Sequence, residues 1–266
     1  MTTRREALEM IGIATGSVLL GSIVTGCATT KTGNSNGYAV AADGKTPGFP
    51  WPYIKLDPVN CAERAYKAFL EGHCMFGSFS GIVGEYAEKM GAPYDSFPFP
   101  MMKIGAGGGG DWATLCGSLN GAMLSISLFS RDPKPLVDEL FGWYQKEPLP
   151  NYHPSAKPRV EITVTSVAKS PLCHVSVSRW CKSAKVKSFS MDRDERCAWM
   201  TASVAKKAVE LLNAQADGVF MGNYPLPKHV QECRSCHDKE GIYENTRGKM
   251  ECGTCHFSLG TKHPEI

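Results

Sequence analysis

The sequence predicts a mainly α-helical, cysteine-rich domain over residues 49–216, followed by a tail over residues 217–266 with little regular structure. Two helix-start patterns favour this fold class. Asp57 precedes a first-turn proline, Pro58, and the sequence DRDE at 192–195 resembles a capping box. Only residues 159–165 alternate apolar and polar side chains as a short strand does.

The helices follow in order along this domain. We expect one helix from Pro58 to about 71 and a second over 76–90, separated by Gly72-His73-Cys74. Four glycines at 107–110 predict a tight turn rather than a phosphate cradle, because no phosphate-loop lysine follows them. Asp111 is then expected to cap an apolar helix ending at Phe129. Further helices are predicted over 134–146 and from the capping box to about 213, with Cys197 facing inward.

The tail carries two Cys-x-x-Cys-His units. Their residues are Cys233, Cys236 and His237, then Cys252, Cys255 and His256. Two pairs of cysteines at this spacing are compatible with one zinc site. A histidine after each pair has no role in a four-cysteine zinc site, whereas covalent haem c requires it as an iron ligand. The tail is therefore predicted to bind two haems c, and a zinc-binding module is the alternative.

The N-terminus predicts export. Arg4 and Arg5 precede a weakly apolar stretch in residues 1–26, which is typical of a twin-arginine signal peptide and too short and rich in Gly, Ser and Thr to span a bilayer. Small residues before Cys27 resemble a lipoprotein cleavage box, with plain cleavage nearby as the alternative. Residues 27–48 read as a flexible linker. The protein is expected to be periplasmic or otherwise exported, with a lipid anchor at Cys27. Haem c is attached outside the bacterial cytoplasm, so the signal favours haem over zinc.

The remaining cysteines suggest a second centre. They are Cys61, Cys74, Cys116, Cys173, Cys181 and Cys197. An even number in an exported protein is compatible with disulfides, and closely held thiolates are also the ligands of iron–sulfur clusters. Twin-arginine export carries folded proteins that have often acquired a cofactor inside the cell. This favours a centre that is loaded before export.

Two segments support a family resemblance. GHCMFGSF at 72–79 and LCGSLNGAM at 115–123 resemble a redox-active family named for its C–GCAxxG–C–C cysteine pattern. With the two Cys-x-x-Cys-His units, residues 60–266 resemble the split-Soret cytochrome c family of dimeric dihaem proteins from anaerobic bacteria. The resemblance implies a homodimer with two stacked, bis-histidine haems c per subunit, and a [2Fe–2S] cluster.

The resemblance also implies cluster ligands. Matched by position, they are Cys74, Cys116, Cys173 and Cys197. Ser118 departs from the alanine that is usual in the family, and Cys61 and Cys181 lie outside the four-cysteine pattern.

The iron ligands of the haems follow in part from spacing. His237 and His256 are the proximal ligands, and the fifteen residues 237–251 between the inner cysteines keep the two haems close. His229 and His263 are the preferred distal ligands because both are tethered near a haem. The alternatives are His73, His153, His174, Met221 and Met250.

These observations predict an electron-transfer protein with unidentified redox partners rather than an enzyme. Iron with both axial positions filled by protein binds no substrate. A haem-based reductase with one open iron is the alternative function, although the sequence has no recognisable catalytic constellation. Lys and Arg are scattered and the net charge is +3, which does not suggest nucleic-acid binding.

Overall fold

The computed structural model describes residues 48–155, 157–222 and 224–256, all within one compact unit. The predictions that concern the signal peptide, Cys27 and His263 lie outside the described residues.

The described chain is mainly helical, as predicted. Its α-helices are α1 (Pro58–Met90), α2 (Gly117–Phe129), α3 (Pro133–Lys146), α4 (Cys173–Ala184), α5 (Met191–Ala216), α6 (Lys228–His237) and α7 (Gly253–His256). Two short 3-10 helices, Tyr94–Ser96 and Phe99–Gly105, follow α1. The described residues form no β-strand. Isolated bridges join Leu115 to Leu172 and Leu149 to Ser166.

Helix α1 has two arms. Asp57 caps its start, because its carboxylate accepts hydrogen bonds from the backbone N–H groups of Val59 (2.7 Å) and Asn60 (3.1 Å). Gly72 (φ −153°) and His73 (φ 62°) leave the helical conformation, so the chain bends there. The two helices predicted on either side of residues 72–74 are therefore confirmed as the two arms of α1.

The core lies where α1 packs along α5 and against α2, with α3 packed on α2 and α5. Its largest fully buried apolar side chains include Ile82, Leu119, Leu136 and Met200. Each such side chain contributes about 1.5–3 kcal/mol by leaving water. No described helix combines the length and the apolar character needed to cross a bilayer.

Two predicted helix starts are wrong. Asp111 does not cap α2: it lies in the turn with φ 64°, and α2 begins six residues later behind Cys116, because Leu115 is held in the bridge to Leu172. The true cap of α5 is Ser190, whose hydroxyl accepts from the Arg193 N–H at 3.2 Å. The predicted capping-box glutamate, Glu195, is instead fully buried.

Glu195 is buried because it joins three elements. Its carboxylate accepts hydrogen bonds from Tyr66 Oη (2.6 Å), Trp199 Nε1 (3.0 Å) and Arg159 Nε (2.6 Å). A buried carboxylate is tolerated when it is paired and hydrogen-bonded in this way. The pairing draws residue 159 toward α5.

Two further differences concern regular structure. Residues 159–165 form no strand, contrary to the prediction, because only the adjacent Ser166 pairs with a neighbour, Leu149. Helix α4 was not predicted. The tail has the ten-residue helix α6 and the single turn α7, and its other described residues are irregular, as expected.

Candidate metal centres

Four cysteines come from four helices. Cys74 follows the kink that starts the second arm of α1, and Cys116 is the N-cap of α2. Cys173 is the first residue of α4, and Cys197 lies in the second turn of α5. The positive end of a helix dipole favours a thiolate. Cys116 and Cys173 therefore stand at helix ends suited to anionic sulfur.

Backbone pairing aligns two of these cysteines. The Cys116 N–H donates to the Pro171 carbonyl (2.9 Å), and the Cys173 N–H donates to the Thr114 carbonyl (2.6 Å). These bonds flank the Leu115–Leu172 bridge. The N-termini of α2 and α4 consequently lie side by side.

The four thiols are electrostatic neighbours. Burial raises the pKa of the Cys74 thiol well above its usual range, and the adjacent Cys116, Cys197 and Cys173 raise it further. Burial and the same neighbourhood raise the pKa of Cys173 to about 12. The four cysteines therefore lie in one neighbourhood, which we call the thiol pocket.

The glycine run closes one side of this pocket. Gly107, Gly108, Gly109 and Gly110 all have positive φ, between 53° and 85°. A Cβ on Gly108 would lie 2.8 Å from the Cys173 Cβ, so only glycine allows the turn to pass this closely. The Cys74 thiol also donates to the carbonyl of Gly105, just before this run, at 3.7 Å. The predicted tight turn is thus part of the thiol pocket.

A polar network also borders the thiol pocket. The Ser176 hydroxyl accepts from Tyr144 Oη at 2.8 Å and from Arg196 Nη2 at 2.9 Å. Arg196 Nη1 also lies 3.8 Å from the Cys197 sulfur. Burial, the neighbouring Cys116 and a hydrogen bond with it raise the pKa of Tyr144 well above its usual range. The network therefore contacts two of the four cysteines.

The two other cysteines of the domain differ from one another. Cys61 is fully buried, and its charged neighbours are Glu85 and Lys89 rather than the thiols of the pocket. Cys181 lies near Cys197 and Arg196. Burial and Cys197 raise the pKa of Cys181, whereas Arg196 lowers it. All ten cysteines among the described residues are free thiols.

Four cysteine thiols can in general hold a single metal ion or an iron–sulfur cluster. In the described part of the chain, no three His, Cys, Asp or Glu side chains converge closely enough to bind one metal ion. A [2Fe–2S] cluster divides its four thiolates between two irons, so it does not need three sulfurs at one point. Four neighbouring thiols, two of them at helix N-termini, are compatible with such a group.

Helix α6 presents the first Cys-x-x-Cys-His unit. Cys233, Cys236 and His237 occupy positions i, i+3 and i+4, which lie on one helix face. Cys236 is buried and Cys233 is exposed. Two thiols and an imidazole on one face have the arrangement that thioether attachment and axial ligation require.

The loop after α6 folds back and orients His237. The His237 carbonyl accepts from the N–H groups of Asn245 and Thr246, both at 3.0 Å. The Asn245 side-chain oxygen lies 2.8 Å from His237 Nδ1, and Tyr243 stacks on the imidazole with 5.1 Å between ring centres. A hydrogen bond at Nδ1 selects Nε2 as the metal-binding nitrogen. A groove of about 610 Å³ opens beside this loop.

The second unit lies against the first. Its turn is closed by hydrogen bonds from the N–H groups of Cys255 (3.2 Å) and His256 (3.0 Å) to the Cys252 carbonyl. Burial and the neighbouring Cys233 raise the pKa of Cys252. The first cysteines of the two units are therefore neighbours.

The tail is anchored on the helical domain. Lys249 Nζ pairs with Asp138 on α3 at 2.6 Å, and the Ser170 hydroxyl contacts the Met250 sulfur at 3.9 Å. The ring of Tyr224 packs on Gly142, where a Cβ would lie 2.0 Å from it. The two candidate centres thus belong to one folded body.

The candidate distal ligands are dispersed. His229 pairs with Glu251, immediately before Cys252. His73 and His174 are exposed beside pocket cysteines, and His174 Nδ1 lies 3.0 Å from the Ala113 carbonyl. His153 contacts Glu161 at the surface (3.0 Å). Met221 is also exposed, and Met250 contacts Ser170.

Comparisons with known proteins agree with this arrangement. A family described as "Putative redox-active protein (C_GCAxxG_C_C)" matches residues 78–211, which include Cys116, Cys173 and Cys197 and begin just after Cys74. Split-Soret cytochrome c of Desulfovibrio desulfuricans is 38% identical over 254 residues, covering 91% of each chain. A solved structure, titled as a novel iron centre in that cytochrome, has a TM-score of 0.73 and 40% identity over 77% of this chain and 90% of that one. This protein belongs to the split-Soret cytochrome c family.

Several side chains around the two centres were not predicted from the sequence. Tyr144 and Arg196 looked like ordinary members of amphipathic helices, and Asn245 like a loop residue. One feature of the sequence could have indicated Arg196: it precedes Cys197, which is predicted to face inward. The family's usual alanine is replaced by Ser118, whose hydroxyl hydrogen-bonds Thr201 at 2.9 Å inside the core. The buried Ser118 hydroxyl therefore has a hydrogen-bond partner.

Proposed function

We propose that this protein is an exported dihaem c-type cytochrome that carries electrons and holds an additional iron–sulfur centre. Cys233, Cys236 and His237 would hold one haem, and Cys252, Cys255 and His256 the other. The two Cys-x-x-Cys-His units carry the proposal, because each supplies two thiols and a histidine for one haem. Haem iron supplies one-electron redox chemistry when bound.

The test is the optical spectrum of the mature protein, oxidised and then reduced, with a pyridine haemochrome count. We expect two low-spin haems per chain and a doubled Soret band. Cys233→Ala with Cys236→Ala should remove one haem, and the matched pair Cys252→Ala with Cys255→Ala the other. A high-spin haem that binds carbon monoxide would favour a reductase. Bound zinc without haem would contradict the proposal altogether.

The iron–sulfur centre is proposed to be a [2Fe–2S] cluster on Cys74, Cys116, Cys173 and Cys197. The shared pocket of these four thiols supports it. Each Cys→Ser change at these positions should remove the non-haem iron and its paramagnetic signal after reduction, with the haem content unchanged. Cys61→Ser is the matched control, because Cys61 is buried away from the pocket.

The proposed distal ligands are His229 and His263. His229 lies two turns before His237 on α6. Its contact with Glu251, which precedes Cys252, ties it to the second unit, so His229 would be a ligand of the haem held there. His73 and His174 are alternatives that would act from a second copy in a homodimer. Replacing each histidine by alanine should make one haem high-spin only where that histidine is a ligand, and His153→Ala is the control.

Export and attachment complete the proposal. Arg4 and Arg5 would direct the folded protein through the twin-arginine route, and acylated Cys27 would hold it at the periplasmic face of a membrane. Fractionation of cells that express the full chain and Cys27→Ser tests the anchor. The variant should move from the membrane fraction to the soluble periplasm.

A further inference from the structure

Arg196 is a buried cation without a carboxylate partner. It is 2% exposed, and none of the ion pairs among the described residues includes it. Its Nη2 donates to Ser176, its Nη1 lies 3.8 Å from the Cys197 sulfur, and its Nε is buried without a hydrogen-bond partner. The guanidinium also lies 5.9 Å from the centre of the Trp180 ring.

Such an arrangement requires an anion. A buried, uncompensated ion costs several kcal/mol, and arginine does not lose its proton in proteins. A cation–π contact returns at most about 2 kcal/mol. The hydrogen bond to a neutral hydroxyl does not neutralise the charge. The contacts described for the chain therefore leave most of this cost without compensation.

The acidic groups that face Arg196 come from four helices. They are Cys197 on α5, Cys116 at the start of α2, Tyr144 on α3, and Cys173 and Cys181 on α4. Three of these five are proposed cluster ligands, and none is a carboxylate. Iron binds cysteine as thiolate, so a loaded centre would place negative charge beside the guanidinium.

We propose that Arg196 is the buried counter-cation of the four-cysteine centre, and that its charge raises both the metal affinity and the reduction potential of that centre. This inference rests on the iron–sulfur centre of the proposed function. A fixed positive charge stabilises bound thiolates, and it favours the reduced cluster because reduction adds negative charge. Arg196 acts through Cys197 and its neighbours, and is therefore a positioning residue.

The test compares three variants of the full, haem-containing chain. Arg196→Met removes the charge and approximates the volume, whereas Arg196→Lys keeps the charge. Lys206→Gln is the matched control: it removes one cation from the same helix, but Lys206 is partly exposed and pairs with Glu210 at 2.6 Å. The first readout is the rate at which an external chelator removes the non-haem iron, because haem iron does not exchange by this route. The second is the midpoint potential of the iron centre, with the haems of the same sample as internal reference.

Arg196→Met is expected to speed the loss of non-haem iron to the chelator about 10- to 100-fold and to shift the iron-centre potential to more negative values, while the haem potentials stay unchanged. Arg196→Lys and Lys206→Gln should stay within a few-fold of the parent protein. The inference is overturned if Arg196→Met behaves like Lys206→Gln, or if Arg196→Lys loses iron as fast as Arg196→Met. If the parent protein holds no non-haem iron, the iron–sulfur proposal itself fails. That result is visible without any variant.

Discussion

Gly117 faces Cys74 so closely that a Cβ on Gly117 would lie 2.3 Å from the cysteine sulfur. The same Cβ would lie 2.5 Å from the Gly105 carbonyl, which belongs to the backbone and cannot move aside as a side chain can. The glycine after Cys116 is therefore a packing requirement of the thiol pocket.

Gly117→Ala is expected to lower the free energy of unfolding by about 1–3 kcal/mol, because it overpacks the contact between α1 and α2. It should also lower the non-haem iron content by displacing Cys74. Denaturant unfolding and iron analysis measure the two effects. Gly48→Ala is the control, since nothing lies within 4 Å of a Cβ there. Equal stability and iron content in both variants would contradict the packing argument.

Asn245 is expected to affect the reduction potential of one haem only. Its side-chain oxygen accepts from His237 Nδ1, which makes the imidazole a stronger donor to iron and stabilises the oxidised state. Asn245→Ala is expected to raise the potential of the haem on the first unit and leave the other unchanged. Spectroelectrochemistry resolves the two transitions. A shift of both haems by the same amount would indicate a structural effect instead.

Alkaline pH should destabilise the protein through Cys61. Burial, reinforced by Glu85, raises the pKa of this thiol from 9.0 to about 12. The folded state therefore keeps a proton that the unfolded chain loses above pH 9, so the stabilisation is complete below pH 9 and is lost as pH rises toward 12. One such thiol contributes up to about 1.4 kcal/mol per pH unit in that interval.

Cys61→Ala should reduce this alkaline slope of unfolding free energy, measured by denaturant titration between about pH 8.5 and 10.5. The absolute stability of the variant at neutral pH serves as the baseline, because the substitution also leaves a small cavity. An unchanged slope would show that Cys61 does not titrate as its burial requires.

The two proposed centres should respond differently to a block in export. Replacing Arg4 and Arg5 by lysine is expected to keep the chain in the cytoplasm, where the [2Fe–2S] centre would assemble but haem c is not attached. Cellular fractionation, haem staining and non-haem iron analysis check this outcome. Retained protein that carries covalent haem would argue against the twin-arginine assignment.

Several features of the fold could be read from local chemistry. Asp57 and Pro58 predicted the start of α1, and Gly72 predicted its bend, because capping and helix breaking depend on neighbouring residues. The helix starts predicted from Asp111 and from the segment DRDE at 192–195 were wrong. Both starts are decided by distant partners, namely Leu172 for the segment before α2 and Tyr66, Trp199 and Arg159 for Glu195.

The sequence by itself determined the two Cys-x-x-Cys-His units and their closeness, because each unit is a local arrangement and the fifteen residues between the inner cysteines cannot hold the units far apart. Only the family resemblance grouped the four cysteines of the second centre, which are Cys74, Cys116, Cys173 and Cys197. Only the tertiary structure decided that these thiols share a pocket and that Arg196 lies beside it. Their positions span 124 residues, from 74 to 197. Contacts over such distances depend on how α1, α2, α4 and α5 pack, which no local pattern encodes.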